Sequence, residues 1–93
     1  MPKVKVAFIQ EFYQLAGKHQ IEIEIPGEEA TVRDVLDKIP DAVKERLFDE
    51  KGEIRYPAEV AVNGRRIDFL DGLDTKVKDG DLILVSPRAL FVI

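Results

Sequence analysis

Strict alternation of apolar and polar residues predicts two strands near the start of the chain. Lys3–Gln10 (KVKVAFIQ) places its valines and phenylalanine on one face. Gln20–Ile25 (QIEIEI) alternates without exception, with isoleucines on one face and glutamates on the other. The connection between them, Glu11–His19, contains the pattern-breaking Gly17. The two strands are therefore expected to form an antiparallel hairpin with a wide loop.

The residues after the second predicted strand have the spacing of apolar positions that is typical of a helix. Thr31 is a candidate N-cap, and Asp34 lies three residues later, at the spacing of a capping box. The apolar positions after the cap recur at i, i+3, i+4 and i+7, which is one helical face: Val32, Val35, Leu36 and Ile39. Pro40 should stop this helix. Asp41–Phe48 then predicts a second, shorter helix.

The second half of the chain predicts short strands separated by turns. Glu59–Val62 is a short strand that ends at Asn63-Gly64, the strongest two-residue hairpin signal. Arg65–Ile67 returns from this turn. Leu70–Gly80 predicts an ordered loop, and Asp81–Val85 predicts the last strand.

This order of elements is typical of an α+β protein. We expect one mixed sheet of four to five strands, packed on one main helix plus a short second helix. The first and last strands should lie side by side and parallel, with the last strand in the middle and ending before Pro87. This is the plan of the β-grasp, or ubiquitin-like, fold. We expect residues 1–93 to form a single domain of this kind, with an apolar tail over residues 87–93.

Composition excludes several classes of function. A net charge of −4 argues against nucleic-acid binding, which requires a basic surface. The absence of cysteine excludes disulfides and thiolate chemistry and suits the cytoplasm. No apolar run is long enough to span a bilayer, so no membrane contact is expected. The single histidine, His19, has no second ligand at a metal-binding spacing, and we expect no metal, no cofactor and no catalytic residue.

Four segments, in this order and spacing, resemble a known family. They are VKVAFIQEFYQLAG (Val4–Gly17), TVRDVLDKI (Thr31–Ile39), RLFDEKGEIR (Arg46–Arg55) and VNGRRIDFLDGLDTKVKDGDLILVSP (Val62–Pro87). The chain is similar to the small subunit of molybdopterin synthase, MoaD, and to the related thiamine sulfur carrier, ThiS. The resemblance implies a ubiquitin-like protein linked to molybdenum or tungsten cofactor (molybdopterin) biosynthesis.

The resemblance also implies where the chemistry of this family lies. Members typically end in Gly-Gly, and a partner enzyme adenylates that carboxylate and converts it to a thiocarboxylate. In this sequence Ser86, Pro87 and Arg88 occupy the family's Phe-Pro-Pro position, and Phe91 and Val92 fall near the two glycines. This departure predicts that the chain is not an active diglycine sulfur carrier. The resemblance itself implies a protein that is not an enzyme.

Period two further predicts an apolar patch on the sheet face without a helix. If alternate strand residues point toward the helix, the residues between them point away, and neighbouring strands bring these together. We call this set the outer patch: Ala7, Ile9, Ala61, Leu82 and Leu84. A sheet face in water is normally polar, so such a patch marks a contact surface. Arg65 and Arg66, after the hairpin turn, are expected on the protein surface.

The end of the chain is apolar as well. Because the tail leaves the same strand end as the outer patch, each is a candidate cover for the other or for a partner. We therefore predict partner binding by the outer patch together with Arg88, Leu90, Phe91, Val92 and Ile93.

Three hypotheses for function follow. The first is a protein-binding small subunit or divergent relative of the MoaD/ThiS type. Its partner would resemble a molybdopterin synthase large subunit or an activating enzyme. The second is a sulfur carrier that uses a non-glycine C-terminus, the carboxylate of Ile93. The third is a homo-oligomer, or a small subunit of a larger enzyme.

Overall fold

The computed structural model of the protein describes residues 1–87. Its strands are β1 (Lys3–Phe8), β2 (Gln20–Glu24), β3 (Ala30–Thr31), β4 (Ala58–Val62), β5 (Arg65–Arg66), β6 (Lys76–Val77) and β7 (Leu82–Pro87). Its α-helices are α1 (Glu11–Ala16), α2 (Val32–Leu36) and α3 (Asp41–Leu47), and two 3₁₀ turns cover Ile67–Phe69 and Gly72–Asp74.

One mixed five-stranded sheet, in the order β2-β1-β7-β4-β5, organises the fold. β1 pairs in parallel with β7 and antiparallel with β2, and β7 pairs antiparallel with β4. The α+β class, the parallel first and last strands and the central position of the last strand are confirmed.

The alternating residues of the strands face a core that α2 and α3 complete. Val4, Val6 and Phe8 of β1 are buried, as are Ile83 and Val85 of β7. The helices contribute further buried residues: Val32, Val35, Leu36, Val43 and Leu47. The inward faces of β1 and β7 are therefore the ones that the alternation predicted.

The capping box at the start of α2 is present as predicted. The backbone N–H of Asp34 donates to the Thr31 hydroxyl oxygen at 3.3 Å, and the Thr31 N–H donates to the Asp34 carboxylate at 3.0 Å. These two bonds satisfy donors that a helix start leaves open. The helix is shorter than predicted, because the chain changes to turn geometry over residues 37–39. Pro40 then caps α3, so the predicted second helix is confirmed.

The connection between β1 and β2 contains a helix that the sequence analysis did not predict. α1 spans only six residues and buries only Phe12, so no helical repeat of apolar residues was available. Gly17 ends this helix in the left-handed region at φ 76°, and its N–H donates to the Tyr13 carbonyl at 2.9 Å. The glycine that marked a break in the strand pattern is therefore a helix C-cap.

The segment Leu70–Gly80, predicted as an ordered loop, also contains a strand. Its β6 pairs antiparallel with β3 in a separate two-stranded sheet. Strands of two residues are too short to show alternation, so this pairing carried no sequence signal.

The last strand continues past the predicted end. Ser86 pairs with Glu59, and Pro87 pairs with Ala58 at the start of β4. The β1 register beside β7 ends at Val85, so no strand within the described residues pairs with that side of β7 beyond Val85. A proline without an N–H is tolerated at such an unpaired strand end, which is why the predicted stop before Pro87 is wrong.

Removing the Leu36 side chain tests the assignment of the helix face. Leu36 is fully buried, so Leu36→Ala should lower the free energy of unfolding by about 2–5 kcal/mol through lost burial and a residual cavity. Leu15→Ala is the matched control, because Leu15 on α1 is 39% exposed. The control should lose less than about 1 kcal/mol in urea denaturation. Equal losses in the two variants would contradict the assignment.

Candidate functional site

The register of the sheet brings three residues of the outer patch into one row. Ala7 of β1 lies opposite Leu84 of β7, and Leu84 lies opposite Ala61 of β4. Residues paired in this way project from the same face of a sheet. We call the face that carries this row, opposite the core, the outer face.

Leu82 and Ile9 extend the row in two directions. Leu82 precedes Leu84 by two residues, so it projects from the same face, and it is 37% exposed. Ile9 follows β1, where its N–H donates to the Val85 carbonyl at 3.0 Å, and it is half-buried. Ala7 and Leu84 are half-buried as well. These four side chains are the accessible part of the outer patch.

Ala61 differs from the expectation, because it is fully buried. Its methyl group lies in the row between Leu84 and Arg66, which both carry longer side chains. Ala61 therefore spaces the row and offers no contact surface of its own.

Hydrogen bonds from Asn63 hold the exposed leucine in place. The Asn63 side chain donates to the Asp81 carboxylate at 3.1 Å and accepts from the Leu82 backbone N–H at 3.0 Å. Asn63 also has the left-handed backbone that the Asn-Gly hairpin turn requires, at φ 50°. The predicted hairpin is confirmed, and its turn residue also fixes the start of β7.

An ion pair closes the row at the edge of the sheet, and the sequence analysis did not find it. The Arg66 guanidinium lies 3.5 Å from the Glu59 carboxylate and 3.0 Å from that of Asp68. The Glu59 side chain is only 7% exposed and that of Arg66 27%. Arg65 is exposed as expected, whereas Arg66 is half-buried. The signal was present: alternation places Glu59 on the face of Ala61, and the hairpin register sets Arg66 opposite Ala61.

Phe69 lies beside this ion pair. The Arg66 guanidinium carbon is 4.9 Å from the centroid of the Phe69 ring, which is a cation–π contact. Phe69 is 77% exposed. A shallow depression of about 510 Å³ at this edge is lined by Gly64, Arg65, Arg66, Phe69 and Leu70. Aromatic residues, including Phe, and arginine are enriched in protein interfaces relative to the rest of the protein surface.

The remaining predictions concern metals, membranes and the tail. Within residues 1–87, no group of three or more His, Asp or Glu side chains is placed to hold a metal ion. No helix in the same part of the chain has the length and apolar character needed to cross a bilayer. Five predicted binding residues lie outside the described residues: Arg88, Leu90, Phe91, Val92 and Ile93.

Comparison with known proteins identifies the family. The family model described as the ThiS family matches residues 6–87, which is most of the chain. The chain belongs to the ThiS family. Its similarity to a relative covers both proteins almost completely: it is 32% identical to small archaeal modifier protein 3 of Haloferax volcanii, over 91% of this chain and 94% of that protein.

Two further similar proteins have names that propose a function. An Archaeoglobus fulgidus protein is named as a proposed sulfur carrier. It is 31% identical to this chain, over 77% of this chain and 85% of that protein. A Pyrococcus furiosus structure, proposed by its name as subunit 1 of a molybdopterin converting factor, is 34% identical with a TM-score of 0.68. That similarity covers 94% of this chain and 98% of the Pyrococcus chain. The predicted MoaD/ThiS membership and ubiquitin-like fold are confirmed.

The Glu59–Arg66 pair gives a test of the outer face in this ThiS-family chain. Arg66→Ala removes a charge partner of a nearly buried carboxylate, so we expect a loss of about 1–3 kcal/mol in the free energy of unfolding. Arg65→Ala is the matched control on the same short strand, where the side chain is exposed, and it should change stability by less than about 0.5 kcal/mol. Urea denaturation at neutral pH compares the two. If Arg66→Ala leaves the free energy of unfolding unchanged, the ion pair does not stabilise the fold.

Proposed function

We propose that this protein is a non-catalytic, ubiquitin-like carrier or modifier that acts by docking its outer face on a partner protein. The observation that supports this most is the pairing of Ala7 with Leu84 on the outer face, with the 37%-exposed Leu82 next to them. A sheet face that meets only water normally carries polar residues at such positions.

The surroundings of the row have the composition of a protein interface. Interfaces combine an apolar centre that is depleted in charge with a polar rim. On the outer face the leucines and Ala7 form the centre. Charged residues surround them, with Lys5 opposite Leu82 on one side and the Arg66–Glu59 pair at the other. The exposed Phe69 adds an aromatic anchor at that rim.

The names of the relatives supply candidate partners. A modifier, a sulfur carrier and a molybdopterin converting factor subunit all function through contacts with other proteins, and the family resemblance adds an adenylating enzyme that acts on the C-terminus. We propose an activating enzyme as the first partner to test and the large subunit of a molybdopterin synthase as the second. A role in molybdopterin biosynthesis, and the cytoplasm as its location, are part of this proposal.

Leu82 gives the sharpest test of docking. Leu82→Asp places a charge in the apolar centre, so we expect the dissociation constant for a bound activating enzyme or large subunit to rise at least about tenfold. Leu15→Asp is the matched control, because Leu15 is exposed to nearly the same extent, 39%, but lies on α1. Isothermal titration calorimetry with each purified partner measures both variants.

Two outcomes of this titration would contradict the proposal. One is equal weakening of partner binding by the two variants, and the other is no binding of the unaltered protein to either partner.

Sedimentation of the protein alone tests the self-association hypothesis. A dimer that Leu82→Asp dissociates would assign the outer face to a second copy of the chain.

A sulfur carrier is the second candidate function, favoured by the ThiS match and by the name of the Archaeoglobus relative. The inactivity inferred from Phe91 and Val92 stays a prediction. The test incubates the 93-residue chain with ATP, a sulfide donor and an activating enzyme, with a Gly-Gly-ending relative as the positive control. Intact mass spectrometry should show no exchange of a carboxylate oxygen for sulfur. Such an exchange would contradict the predicted inactivity and support the carrier function.

A further inference from the structure

The edge strand β2 has an unpaired side. Among the described residues β2 is hydrogen-bonded only to β1. The Phe8 N–H donates to the His19 carbonyl at 2.8 Å, and the Ile25 N–H donates to the Pro2 carbonyl at 2.9 Å. In an antiparallel pair these bonds involve every second residue, so the residues between them direct their backbone groups away from β1. The residues that face the open edge are Gln20, Glu22 and Glu24.

The side chains of β2 determine which residues a strand added at this edge would need. Glu22 and Glu24 are exposed on the outer face. Ile21 is half-buried and Ile23 buried on the core side. A strand added here would meet acidic side chains on one face and apolar side chains on the other, in strict alternation.

β1, which already pairs with β2, shows which side chains complement those of β2. It places Lys5 opposite Glu22 and Lys3 opposite Glu24. On the core side, valines of β1 lie opposite Ile21 and Ile23. Opposite charges and apolar pairs across neighbouring strands are favourable, so the sequence KVKV complements β2 on its occupied side. The same complement is expected to suit the open side.

A second copy of the chain does not suit the open edge. Two β2 strands paired antiparallel with matched faces would set glutamates opposite glutamates or Gln20. Like charges directly opposite each other destabilise a strand pair. Edge charges of this kind are a common protection against self-pairing, and they leave the edge open to a basic strand.

We propose that the open edge of β2 binds an extended segment of a partner protein in which basic residues alternate with apolar residues. Main-chain hydrogen bonds to Gln20, Glu22 and Glu24 would add this segment to the sheet. Glu22 and Glu24 select its basic residues. This site is separate from the outer patch, because it uses the edge of the sheet and needs none of the leucines.

Titration with short peptides tests the proposal by NMR. The probe is the capped peptide KVKVKV, and the control is KKKVVV, which has the same composition and charge but no alternation. KVKVKV should shift the amide resonances of Glu22 and Glu24 and slow their hydrogen exchange, while KKKVVV should bind at least about tenfold more weakly. Equal binding of the two peptides would overturn the proposal, because only the overall charge would then matter. Shifts centred away from β2 would overturn it as well.

Charge reversal tests the selectivity. In the double variant Glu22→Lys and Glu24→Lys, affinity for KVKVKV should fall at least about tenfold and affinity for EVEVEV should appear, because attractive cross-strand pairs become repulsive ones. If the spectrum shows that this variant is unfolded, Glu22→Gln with Glu24→Gln replaces it and should weaken KVKVKV binding without gain of EVEVEV binding. Unchanged KVKVKV affinity in a folded variant would overturn the proposal. Concentration-dependent shifts of β2 amides without peptide would assign the edge to a second copy instead.

Discussion

The parallel pairing of β1 with β7 is the constraint on which the rest of the structure depends. It sets Val6 beside Ile83 on the core side and Ala7 beside Leu84 on the outer face. Because the side-chain period of a strand is two, a slip by one residue would exchange these faces. The buried core therefore fixes the position of the outer row: valines that must be buried against the helices leave Ala7 and Leu84 on the opposite side.

The same sheet then offers two surfaces with different chemistry. The outer face has a leucine-rich centre with the Arg66–Glu59 pair and Phe69 at one rim. The open edge of β2 has acidic side chains and backbone groups that no strand within residues 1–87 pairs with. Contact with other proteins is the mode of action that we propose for this chain of the ThiS family. Two separate surfaces would allow one small protein to hold two partners, or one partner at two points.

Much of this arrangement could be predicted from the sequence, because it follows from local periodicity. Alternation gave the faces of β1, β2 and β7, and Thr31 with Asp34 marked the start of α2. The features that the sequence did not predict are either very short elements or contacts between residues that are brought together by strand pairing. The helix α1 and the β3–β6 pair are too short to show a period, and the contact of Glu59 with Arg66 required the hairpin register to be combined with the alternation.

Cross-saturation NMR on a complex with the activating enzyme can decide whether the outer face docks on a partner, because it reports which methyl groups of the bound protein lie against that partner. We expect saturation of the partner to reach the methyl groups of Leu82, Leu84 and Ile9, and to leave those of Leu15 on α1 unaffected. Saturation centred on α1 and α3, with the outer leucines unaffected, would contradict it.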